Sequence, residues 1–226
     1  MPLVVNETSV QPTTTAFRNL GTLMQSDTIL DAHITSITKT YYMYLHNIGK
    51  IKQYLNRETL ENIMHAFITT KLDYCNALFL GLPHNRLNRL QKIQNAAARI
   101  LTGTNIREHM MPILCDLHWL PVAQRVQFKV LLIVHKSIHH QNSPFADSII
   151  IDTHSCRTPN SLCIPFTRSS TVYDRAFSVA GPRLWNQLPL YLRVVSDTNV
   201  FKRNLKTHLF RQCFFTWFYD ILYNLF

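Results

Sequence analysis

Four cations, Arg86, Arg89, Lys92 and Arg99, fall within one short segment, and no acidic residue stands between Asp73 and Glu108. Guanidinium and ammonium groups spaced in this way suit phosphate contact, because they neutralise phosphodiester charge and release its counterions. A second acid-free basic run holds Lys202, Arg203, Lys206 and Arg211. Over the whole chain 23 Lys and Arg stand against 13 Asp and Glu, a net charge of +10. An excess of that size favours a polyanionic partner, nucleic acid before membrane. The plainer reading of each run is a solvated face that keeps a helical bundle soluble. For residues 86–99 both readings stand; for 202–211 the solvated face is preferred.

Other chemistry is thinly represented. A nucleotidyl-transferring polymerase needs carboxylates held close together around paired divalent metals. No two acidic residues here are adjacent, and no YxDD-like segment occurs. The chain also lacks GxxxxGK[ST], HExxH and GxSxG segments, so no catalytic residue is assigned. His139, His140, His154, Cys156 and Cys163 lie near one another in sequence. Their H-x-C-x6-C spacing differs from zinc sites, where ligand pairs sit closer together. They are read as loop residues, and neither a metal nor a cofactor is expected. His118 beside Trp119 reads as a packed pair between leucines and prolines.

Composition narrows the class further. A hydrophobic share of 46% supplies a core, while charged residues make up only 16%, below the roughly 25% usual in soluble domains. The five cysteines show no CxxC spacing and the opening MPLVVNETSV lacks a charged, then apolar, leader pattern. They are read as reduced thiols of an intracellular protein, nuclear or cytoplasmic rather than secreted. The apolar stretches at 130–134 and 214–226 are shorter than the roughly 20 residues a membrane helix needs, so no membrane association is expected.

Helical periodicity supplies the elements that must carry the cations. Ile34, Ile37, Tyr41, Tyr44, Leu45 and Ile48 form one apolar stripe, with Gly49 as an interruption. Asn56 is a suitable N-cap for a second helix with Leu60, Ile63, Met64, Phe67, Ile68 and Leu72 on one face. After Gly81-Leu82-Pro83, a third helix over about 85–102 buries Leu87, Leu90, Ile93, Ala97, Ile100 and Leu101. At 100° per residue Lys92 and Arg99 fall opposite that stripe, and Arg89 lies at its edge. Beyond Gly103 come a short element between two prolines, an apolar helix over about 122–140, and a loop-rich stretch over 141–170. Phe177 and Val179 alternate as in a strand before Gly181-Pro182, and a last helix starts near Thr198. The fold class is mainly α: residues 1–30, a small helical bundle over 31–105, and a helical segment over 106–226 with short irregular or β pieces.

Several of these segments together resemble the region after the catalytic palm of jockey-like LINE (non-LTR) retrotransposon reverse transcriptases. FRNLGTLMQSD, with DAHITSITKTYYMYLHNIGKIKQYL after it, resembles the end of the palm over residues 1–30 and the helix that follows it. ITTKLDYCNALFLGLP and LQKIQNAAARILTG resemble the thumb, a bundle that grips the template–primer duplex. LHWLPVAQRVQFKVLLIVHKSI, DRAFSVAGPRLWNQLP and VFKRNLKTHLF resemble the C-terminal extension. The resemblance implies a piece of an RNA-directed DNA polymerase without fingers, most of the palm with its aspartate pair, or endonuclease. It makes Arg86, Arg89, Lys92 and Arg99 backbone contacts to an RNA/DNA duplex, helped by Asn88 and Gln91, and implies no catalysis by this chain alone. The missing palm and fingers would be its protein partners. The alternative is a helical protein-interaction fragment or a remnant without function.

Overall fold

Phe17–Asn19 and Thr22–Met24 pair as two short antiparallel strands, joined through Leu20 and Gly21. Both turn residues have positive φ, 44° and 81°, the backbone that a two-residue hairpin turn requires. The computed structural model describes residues 3–5, 8–10, 16–24, 30–141, 160–166 and 173–223. Strands β1 (Leu3–Val5) and β2 (Thr8–Val10) form one antiparallel ribbon, and β3 (Phe17–Asn19) and β4 (Thr22–Met24) form another. Among the described residues all other regular structure is helical; helix makes up 72% of them, and the protein is mainly α.

Helix α1 spans Asp31–Ile51 and buries Ile34, Tyr41, Leu45 and Ile48. It runs straight through Gly49, so that glycine does not interrupt it. Asn56 caps α2 (Arg57–Met64) by accepting the Thr59 N–H at 2.8 Å. A π-turn over His65–Thr69 then leads into α3 (Thr70–Asp73). Leu60, Met64, Ile68 and Leu72 are buried, whereas Phe67 is 45% exposed and packs edge-on against Tyr44. The wider π-turn explains the departure from the single stripe read in the sequence. It keeps residues four apart in line and swings Phe67 outward.

Helix α4 covers His84–Thr102 and stops at Gly103, whose φ of 72° gives the left-handed end favoured by glycine. Helix α5 (Met110–Asp116) has Pro112 in its first turn, where a missing N–H costs little. Helix α6 runs Val122–Ile138. Residues 177–186, read as a strand and a turn, instead form helix α7 (Phe177–Asn186) straight through Gly181 and Pro182. Packing on α6 overrides the local pattern. A Cβ at Gly181 would stand 3.0 Å from Val134 Cγ2, so the bare backbone lets the two helices meet. Short α8 (Leu190–Arg193) precedes α9 (Thr198–Tyr223).

Two apolar cores result. The first joins α1, α2 and α4 and also takes Met110, Leu114, Trp119, Val122, Val126 and Phe214. The second gathers Leu131, Val134, Trp185, Leu192, Phe201 and Leu205 around α6, α7 and α9. The bundle over 31–105 is therefore closed by residues that follow it. His118 and Trp119, expected as a pair, separate: Trp119 is buried edge-on to His65, while exposed His118 stacks on Phe210. Among the described residues no helix is long and apolar enough to cross a membrane.

Candidate nucleic-acid interface

Helix α4 has a core side, an edge against α1 and an outward face, and its four cations are divided among them. Arg86 lies against α1. Its Nε and Nη2 each donate to a carboxylate oxygen of Asp31 at 2.6 Å. That guanidinium, chiefly by hydrogen bonding, holds the Asp31 carboxyl below its ordinary range. Arg89 donates from Nη2 to Thr35 Oγ1 at 3.0 Å. Both residues thus join α4 to α1 and are turned away from the outward face.

Lys92 is exposed and has no hydrogen-bond or ion-pair partner among the described residues. Arg99 lies seven residues on, about 10 Å further along the same side. Its Nη2 donates to Ile106 O at 3.2 Å, and its buried Nε has no hydrogen-bond partner. Arg99 lines an open groove of about 620 Å3 between α4, the 105–109 loop and the start of α6. Arg107, His84, His109 and the amides of Asn88 and Asn95 line it too, with Glu108 as a carboxylate at its edge.

The two amides proposed as helpers have different positions. Asn88 is exposed and hydrogen-bonds His84 at 2.9 Å. Gln91 is structural. Its Oε1 accepts the Val122 N–H at 2.8 Å, satisfying one free donor at the start of α6, and its Nε2 donates to Gln94 and Asn95. Buried Gln94 donates to Leu120 O at 2.9 Å. These amides fix the groove's two walls relative to each other.

Arg107 and Asn95 were not singled out from the sequence, though Asn95 falls on the outward face at 100° per residue. Arg107 comes alongside Arg99 only because Gly103 ends the helix there. At the groove floor, burial chiefly, then Cys115, pushes the Cys213 thiol up to about 11, which suits packing and not nucleophilic attack. Among the described residues no group of three His, Cys, Asp or Glu could hold a metal ion. Of the residues weighed for zinc, His154 and Cys156 lie outside the described residues. His139 sits 4.5 Å from the ring of His135. The second basic run has Lys202, Arg203, Lys206 and Arg211 all exposed on α9.

An outward face with Lys92, Arg99 and Arg107 can hold phosphates in place. Phosphate contacts of this kind position a strand without reading its sequence. Compared with known proteins, the chain matches no family model, no curated protein and no solved structure.

Proposed function

We propose that this protein is a non-catalytic, nucleic-acid-contacting part of a LINE-type reverse transcriptase, the thumb and C-terminal extension, and that it grips an RNA/DNA duplex through the outward face of α4. The observation that carries the reading is the cationic face of Lys92, Arg99 and the neighbouring Arg107, which have no ion-pair partner among the described residues, whereas the other cations of α4 are held against α1. The resemblance of the 71–102 segment to thumb wording supports the same assignment. On this reading the protein works inside the cell, in the nucleus or cytoplasm, beside the palm and fingers of its polymerase.

Anisotropy titration of a labelled RNA/DNA duplex at several salt concentrations tests this. The log of the affinity should fall with log salt, and K92E/R99E should flatten that slope by roughly 0.9 for each phosphate that is no longer neutralised. Arg86→Ala should lower stability, because it frees Asp31, while leaving the slope unchanged. Duplex binding by K92E/R99E equal to the parent would sink the proposal.

A second reading rests on exposed Tyr42, Met43, Ile51 and Tyr54 along and beyond α1. Apolar groups so placed favour a protein partner. Docking of that kind would be nearly independent of salt.

A further inference from the structure

Away from the α4 face, α6 and α9 enclose a second groove, of about 340 Å3. This volume falls within the roughly 300–1,000 Å3 of small-molecule sites. Thr198, at the start of α9, hydrogen-bonds Gln141 just beyond the end of α6, and Phe210 stacks on His118 just before α6 begins. The helices therefore run antiparallel, and each contributes cations to the seam. Lys129 comes from α6, and Lys202 and Lys206 come from α9. All three are exposed and without an ion-pair partner among the described residues. The carboxylate of the groove, Asp73, is already held by Arg125 through contacts of 2.9 and 2.6 Å.

The floor is of another kind. Leu120, Phe128 and Leu132 make it apolar, and Asn76 lines it as well. Asn76 is only 3% exposed and donates from Nδ2 to Asp73, yet its Oδ1 has no hydrogen-bond partner. The groove thus has two recognition elements: unbalanced ammonium groups at the rim, and an apolar ring and aliphatic surface below. Inorganic phosphate would meet only the first, and an apolar molecule only the second.

We propose that this groove binds a nucleotide, free or at the end of a strand. The phosphate lies among Lys129, Lys202 and Lys206, and the base lies on Phe128 and Leu132. The proposal is independent of duplex binding by α4, because the two sets of residues do not overlap.

Calorimetric titration of the full chain with adenosine monophosphate tests it, beside inorganic phosphate and adenosine as separate probes. The nucleotide should bind at least about tenfold more tightly than either part. K202E/K206E should weaken it by about tenfold or more, with the circular dichroism spectrum unchanged since both side chains are exposed. Lys129→Glu on the opposite wall should act in the same direction. A 5′-phosphorylated oligonucleotide that displaces the mononucleotide, when its unphosphorylated copy does not, would identify a strand end as the source. Equal binding of phosphate and nucleotide would overturn the proposal, as would no binding or indifference to all three lysine changes. K92E/R99E should leave mononucleotide binding intact, so failure here and failure of the α4 reading are separable.

Discussion

Protonating His33 would remove the acceptor that its Nδ1 offers to the Leu23 N–H at 3.3 Å, the bond that ties β4 to α1. Burial chiefly, then Arg18, lowers its pKa below the ordinary 6.5. Burial likewise lowers that of His135, partly offset by a hydrogen bond to Val195 O at 2.9 Å. His135 stacks at 4.0 Å on Phe201 in the second core. In both cases the unfolded chain takes up protons first as pH falls. Their contribution to stability is therefore complete above about pH 6.5 and is lost as pH drops through the lower folded values. Urea midpoints should hold near neutrality and decline in that acidic window. Replacing both residues with Gln, which cannot charge, should reduce the decline, and an unchanged pH profile would refute the assignment. Neither role was legible in the sequence, where these are two of 11 histidines, because their burial depends on elements distant in the chain. Arg86 was partly legible. The same 100° arithmetic that put Lys92 outward places Arg86 on the side facing the rest of the bundle.

Helices α1, α2, α4, α6 and α9 were readable from periodicity, since each buries one continuous stripe or nearly its whole surface. Helix α7 was not, because Gly181-Pro182 carries a local breaking signal that only the contact with Val134 overrides. Gly181→Val should push α7 off α6 and destabilise the protein by roughly 1–3 kcal/mol, read as a lower urea midpoint with an unchanged slope. A midpoint equal to the parent's would mean that the close approach is not needed. The π-turn makes a different prediction. Leu60, Met64, Ile68 and Leu72 are spaced by four, which drifts by about 40° per step on a regular α-helix. Deleting exposed Phe67 leaves spacings of four, three and four, an ordinary helical stripe. The deletion should therefore keep the thermal midpoint near the parent's, whereas deleting buried Ile68 should lower it sharply.

At the scale of the molecule, the composition pointed to enough apolar material for a core, but not to two cores sharing helices. The boundary read at 105/106 follows a change in local pattern at Gly103, whereas packing continues across it. A protein comprising residues 31–105 alone would lack Met110, Leu114, Trp119, Val122, Val126 and Phe214. It should show helical circular dichroism without a cooperative thermal transition, and a sharp transition would show the bundle to be self-sufficient. Phe214 carries the point further. It belongs to the first core, yet more than a hundred residues separate it from the end of α4. At roughly 5–20 residues per second of synthesis, the ribosome needs on the order of ten seconds to cover that distance. Throughout that interval the emerging bundle has an unfilled place in its interior, so its completion waits on late translation, and the nascent chain offers a timed opening to chaperones.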